Sequence, residues 1–186
     1  MRILVVYGSA TGQTRKIVEF LAERWRQHSH TVELCDAAHL PRAVDPADFD
    51  RVVVASCVRQ GEYRRSVIRF VRRHRAALVK VPSVLLSVSM AAAHLRNHDD
   101  AQRWLKGWVD AFCEKTGWRP ARVQHVAGGL AYTRYDLVTR WFMRRIAVDQ
   151  GYATDTARDH EYTDWAALGE FADELVSPAG AMATAA

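Results

Sequence analysis

The sequence is short of paired cysteines, lysine and long apolar runs. Its three cysteines, Cys35, Cys57 and Cys113, are far apart and odd in number, and no Cys-x-x-Cys occurs. Neither a disulfide framework nor a zinc site is expected, and no other metal site is marked. Reduced thiols in the core or near a site are the plain reading. The longest weakly polar stretch, residues 81–93, is broken by Pro82, Ser83, Ser87 and Ser89. A membrane span needs about 20 apolar residues, so no transmembrane helix is predicted. The start, Met1-Arg2-Ile3-Leu4-Val5-Val6-Tyr7, meets glycine, glutamine and charge too soon for a secretory leader, so a cytoplasmic location is expected. Lys16, Lys80, Lys106 and Lys115 are the whole lysine set, and arginine supplies the rest of the 26 basic residues. The net charge of +5 and pI near 9.4 favour anionic partners: nucleic acid, anionic lipid or a carboxylate-bearing substrate. The arginines spread over several predicted helices without a recognition motif, so no nucleic-acid partner is expected.

What is present is a regular alternation of strand and helix patterns. With 186 residues, 49% hydrophobic and 25% charged, the chain suits one globular domain. Apolar runs such as Val52-Val53-Val54-Ala55 read as buried strands, giving strands at 2–7, 31–35, 51–58, 83–89 and 122–127. Ile17, Phe20, Leu21 and Trp25 recur at helical spacing, as do Val67, Phe70, Val71 and Leu78. Helices are predicted at 13–28, 65–78, 99–115 and 163–176. The sum is an α/β fold, an open five-stranded parallel sheet with helices on both faces. Such sheets bind ligands at the carboxyl ends of strands, here just after Tyr7, Ala55, Val88 and Ala127. The domain is expected over 1–176, with an insert at about 130–162 and a disordered Ala/Gly/Ser tail at 177–186.

Gly8-Ser9-Ala10-Thr11-Gly12-Gln13-Thr14 joins the first strand to the first helix. Hydroxyls, a glycine and free helix amides converge there, which is the chemistry of a phosphate cradle. Gly8 and Gly12 have three residues between them, not four, and no Lys-Ser/Thr follows, so a Walker A loop fails. Gly-x-Gly-x-x-Gly is absent too. The simpler alternative is a helix cap by Ser9 or Thr11 with no ligand. Ser9-Ala10-Thr11-Gly12-Gln13-Thr14 resembles the flavodoxin phosphate loop, Thr/Ser-x-Thr-Gly-x-Thr. That resemblance implies that these six residues hold the phosphate of FMN. It further implies that the loops after the third and fourth strands hold the flavin ring: Ser56, Cys57, Val58, Arg59, Gln60 and Gly61, then Ser87, Val88, Ser89 and Met90. A receiver domain of the same topology needs an aspartate where Ser56-Cys57 stands.

A narrower resemblance covers residues 2 to about 176. The chain is similar to the menaquinone-dependent protoporphyrinogen IX dehydrogenases, flavodoxin-like enzymes of bacterial haem synthesis. Gly12-Gln13-Thr14-Arg15, Asp50-Arg51-Val52-Val53-Val54 with Arg59-x-Gly61, and Trp118-Arg119-Pro120 leading to Gly128-Gly129-Leu130-x-Tyr132 carry it. So do Tyr135, Phe142-Met143, Thr154-Asp155-Thr156 and Tyr162-Thr163-Asp164-Trp165. The family implies oxidation of protoporphyrinogen IX with electrons passed to menaquinone or another quinone. The flavin carries that chemistry, so no catalytic side chain is expected. His94, His98 and His125 read as surface or packing residues. Gln60 stands where the family suggests a tyrosine, and Met90-Ala91-Ala92-Ala93 has no aromatic.

Residues 135–148 of the insert read as a helix with Leu137, Val138, Trp141, Phe142 and Val148 opposite Arg140 and Arg144. Arginine beside tryptophan and phenylalanine suits an anionic bilayer, so peripheral docking on the cytoplasmic face of the inner membrane is one expectation. Packing on the domain itself or on a second subunit is the other, and the oligomeric state stays open. The propionates of the tetrapyrrole would pair with Arg59, Arg64 or Arg134. Two alternatives remain: an FMN-dependent NAD(P)H:quinone reductase, and a flavodoxin electron carrier, which the basic pI disfavours.

Overall fold

A computed structural model of the protein describes residues 1–41, 44–94, 99–130, 155, 157 and 159–177. The predicted insert helix at 135–148, Arg134, His98 and the tail beyond Ser177 lie outside these residues. Strands β1 (Arg2–Gly8), β2 (Thr31–Asp36), β3 (Arg51–Arg59), β5 (Ser83–Ser89) and β6 (Arg122–Ala127) form one parallel sheet in the order β2-β1-β3-β5-β6. A short β4 (Glu62–Tyr63) turns back on β3. Four α-helices are seen among the described residues: α1 (Gln13–Gln27), α2 (Arg65–Lys80), α3 (Asp99–Thr116) and α4 (Trp165–Val176). The flavodoxin-like expectation is borne out, with five parallel strands where the apolar runs lie.

Side chains alternate across each strand, so one sheet feeds two cores. Ile3, Val5, Val53, Ala55, Val84 and Leu86 pack with Ile17, Leu21 and Trp25 of α1 and with Phe171 and Leu175 of α4. Leu4, Val6, Val52, Val54 and Leu85 pack on the opposite face with Val67, Phe70 and Val71 of α2 and Phe112 of α3. Burial on both faces is why these strands read as continuous apolar runs instead of alternating ones.

Several element ends shift by one or two residues from the sequence reading, and two differences matter near the site. Helix α4 starts at Trp165, not at residue 163. Asp164 caps it, its carboxylate accepting from the Ala167 amide at 3.0 Å, and this leaves Thr163 in extended chain before the helix. The predicted break at Gly61 is a two-residue hairpin turn. Gln60 and Gly61 both take positive φ, 53° and 78°, as a type I′ connection between β3 and β4 requires. Outside the main sheet, β7 (Gly129–Leu130) pairs antiparallel with β8 (His160–Glu161), a ribbon that the sequence reading did not include.

Helix α4 closes over α1 chiefly through Trp25. Its indole is fully buried and donates to the Ala172 carbonyl at 2.9 Å. Trp25→Ala removes that ring and leaves a cavity. It is expected to lower the unfolding free energy by about 3–5 kcal/mol, measured by urea denaturation.

Candidate active site

The loop from β1 to α1 lies at the carboxyl end of the sheet. There the strand order reverses, β1 leading to β2 on one side and β3 on the other. Gly8 lets this loop pass under α2: a Cβ there would lie 2.6 Å from Val67 Cγ2 and 2.9 Å from Arg64 Cβ. The helix cap position is Gly12, at φ 96°, a left-handed conformation that side chains resist. No side chain caps α1, so the capping alternative for Ser9 or Thr11 does not describe this loop. The Ser9 hydroxyl accepts from the Gly12 amide at 3.0 Å, inside the loop. Thr14 is 1% exposed, and its hydroxyl oxygen finds no hydrogen-bond partner among the described residues. A helix start without a side-chain cap beside an unsatisfied buried hydroxyl is a site for an anion.

A cavity of about 110 Å³ opens here. Ser9, Ala10, Thr11, Gln13 and Thr14 form its floor, Cys57, Val58 and Arg59 one wall, and Val88, Ser89 and Met90 another. Gly128 and Gly129 close the fourth side. Among the described residues, Arg59 is the one charged side chain in this lining, and no carboxylate belongs to it. The electrostatics therefore favour an anion throughout. Drug-sized ligands need roughly 300 Å³ or more, so this space encloses only part of a nucleotide-sized group.

The structure thus gathers most of the predicted binding residues around one space. Gly12 shapes the floor without lining it. Ser56 is fully buried: its hydroxyl accepts from the Arg64 amide at 3.1 Å and donates to the Cys57 carbonyl at 3.1 Å. Ser87 accepts from the Tyr63 hydroxyl at 2.9 Å. These two serines brace the strand ends behind the cavity, and Gln60 and Gly61 form the turn beyond it. Arg64 is exposed at the start of α2 and is absent from the lining. Gly128 and Gly129 were not among the predicted site residues, although the rule that ligands sit beyond strand ends had marked the stretch after Ala127.

Among the described residues, no aromatic side chain lines the cavity. Tyr63, the nearest tyrosine in sequence, is core: it is 4% exposed and packs on Phe112 with ring centroids 4.7 Å apart. Burial pushes its hydroxyl up to about 12. Burial raises the Cys57 thiol too, against the lowering pull of Arg64, so the thiol faces the cavity protonated at neutral pH. His125 sits in β6, away from this cavity, and burial lowers its pKa.

The ribbon β7–β8 is fastened to the cavity floor. The Gln13 carboxamide donates to the Thr163 hydroxyl at 2.9 Å, and that hydroxyl donates to the Ala127 carbonyl at 2.8 Å. The Tyr162 amide donates to the Gly128 carbonyl at 3.0 Å. Lys16 pairs with Glu161 at 2.5 Å, and the Trp165 indole donates to the same carboxylate. The chain between Leu130 and His160, which holds the insert, is therefore rooted beside the cavity.

These elements match a known family. The chain belongs to the flavodoxin domain family, which it matches over residues 4–157. Protoporphyrinogen IX dehydrogenase (quinone) of Escherichia coli strain K12 is 30% identical over 177 residues, covering 94% of this chain and 94% of that one. The protein of the same name from Leishmania major is 27% identical over 178 residues, covering 95% of this chain and 75% of that one. Among solved structures, the flavodoxin of Streptococcus pneumonia TIGR4 is similar at 17% identity and a TM-score of 0.48, over 94% of this chain and 97% of that one.

The ribbon anchor titrates. Burial by itself would raise the Glu161 carboxyl, but hydrogen bonds from Lys16, Trp165 and Gln13 outweigh it and hold it below its ordinary 4.5. A carboxyl lowered by folding stabilises the fold above about pH 4.5 and loses that contribution as pH falls through its folded value. Both partners are partly exposed, which keeps the effect small. Glu161→Gln is expected to lower the melting temperature at pH 7 by no more than about 2–4 °C. Melts taken from pH 7 to 3 should show this gap closing in acid. A gap that persists at pH 3 would assign it to packing instead.

Proposed function

We propose that the protein binds FMN in this cavity and oxidises protoporphyrinogen IX to protoporphyrin IX, with electrons passed to a quinone. The observation that carries this reading is the identity to relatives of that name over nearly the whole of the chain. The cavity supports the cofactor. The unsatisfied Thr14 hydroxyl and the helix start without a side-chain cap fit a phosphate dianion, and the described lining residues include no carboxylate to repel it.

FMN, when bound, supplies the hydride-accepting chemistry. The protein supplies position and charge. The floor, Ser9 to Thr14, would hold the phosphate through hydroxyls and first-turn amides. The walls, Cys57 to Arg59 and Val88 to Met90, would hold the flavin ring. Among the described lining residues none is aromatic, which leaves room for a broad tetrapyrrole to approach the ring on that side. Of the three arginines considered for the propionates, Arg59 stands in the cavity wall. Its planar guanidinium matches carboxylate geometry. Residues 135–148 would rest on an anionic bilayer, from which both the quinone and the tetrapyrrole come. No helix of the described residues is long and apolar enough to cross a membrane.

Two measurements test this. In anaerobic solution, FMN-loaded protein mixed with protoporphyrinogen IX and a menaquinone analogue should develop porphyrin fluorescence only when the quinone is present. No fluorescence, with flavin reduced instead by NAD(P)H, would replace this reading with a quinone reductase. Separately, Thr11→Ala with Thr14→Ala should purify with little FMN, and full FMN content would remove the phosphate loop from the site. Arg59→Ala is expected to raise KM for the tetrapyrrole by about tenfold, the loss of one charged hydrogen bond.

A further inference from the structure

Gln13 faces two ways. It is the first residue of α1, so its backbone lies in the turn that would meet a bound phosphate. Its side chain points to the ribbon, donating to Thr163, while Thr163 in turn donates to the end of β6. A Cβ added to Gly129 would lie 3.5 Å from the Gln13 carboxamide oxygen and 3.0 Å from the His160 carbonyl, so the ribbon backbone closes directly over this side chain. Gly129 itself is cavity wall. The cavity floor and the ribbon that completes the wall therefore share one residue.

We propose that Gln13 is a positioning residue that couples occupancy of the phosphate loop to seating of the β7–β8 ribbon. An anion on the first turn of α1 fixes the backbone of Gln13. A fixed backbone holds the carboxamide where Thr163 meets it. The seated ribbon then keeps Gly128 and Gly129 in the wall. Such coupling is reciprocal: the phosphate binds tighter because the ribbon is seated, and the ribbon opens less often when the phosphate is bound. The inference rests on the cavity being the FMN site, and it adds that the root of the insert senses the cofactor.

The test uses the whole chain, with FMN affinity read from flavin fluorescence and amide exchange followed over residues 159–164. Thr163 does not line the cavity, so its variants report the link and not lost contact. Gln13→Ala and Thr163→Val should each weaken FMN by about 3- to 10-fold, the effect of one hydrogen bond. The double variant should be no weaker than Gln13→Ala, because both changes cut one chain of bonds. Thr163→Ser keeps the hydroxyl and should bind as the wild type does. FMN should slow exchange at 159–164 in the wild type and in Thr163→Ser, but not in Gln13→Ala. Riboflavin, which lacks the phosphate, should slow it in none. Wild-type affinity in Thr163→Val, losses that multiply in the double variant, or equal slowing in Gln13→Ala would each overturn the coupling while leaving the FMN site intact. Failure of the wild-type protein to bind FMN would instead overturn the cofactor reading and the coupling together.

Discussion

The absence of a side-chain cap at the start of α1 is the constraint on which the site depends. A helix leaves its first amides without internal partners, and most helices answer with a serine, threonine or aspartate cap. Here the cap position is Gly12 in a left-handed conformation, and the Ser9 hydroxyl is spent inside the loop. The positive end of the helix dipole, its amides and the buried Thr14 hydroxyl are left facing one space. The protein carries this local cost because the neighbouring elements hold the loop in place. Gly8 runs tight against Arg64 and Val67, and the core under α1 is anchored by Trp25.

The sheet order then decides what surrounds that space. Because β1 lies between β2 and β3, the ends of β3, β5 and β6 all fall on one side of the phosphate loop. The β3–β4 hairpin presents Arg59 there, and its turn is set by the paired positive φ angles of Gln60 and Gly61. The buried serines at the strand ends serve the frame. Ser56 ties the start of α2 to β3, and Ser87 ties β5 to Tyr63. The same arrangement keeps Tyr63 from the cavity: it is held in the core by Ser87 and Phe112, two residues beyond the Gln60-Gly61 turn.

Much of the fold was legible in the sequence, because strands buried on both faces and helices buried on one leave different periods. The loop from β1 to α1 stood out as a candidate site because its hydroxyls and glycines are contiguous. Other features were not legible. Ser56 and Ser87 sit beside cavity residues in sequence, yet neither lines the space, because both lie deeper in the sheet, fully buried and hydrogen-bonded within the frame. Thr163 reads as a helix start but stands outside α4, because Asp164 takes the cap. The ribbon escaped detection because two-residue strands carry no periodic signal.

By itself the sequence determined the order of strands and helices, the hydroxyl- and glycine-rich chemistry of the first loop and the basic charge. Each follows from local chemistry along a few consecutive residues. Only the tertiary structure decided which residues share the cavity and which brace it. Gly128 and Gly129 join the wall, and Gln13 reaches Thr163 across 150 positions of chain. No local pattern encodes that contact. It exists because α4 packs over α1, and that packing carries the end of the chain back to the beginning of the first helix.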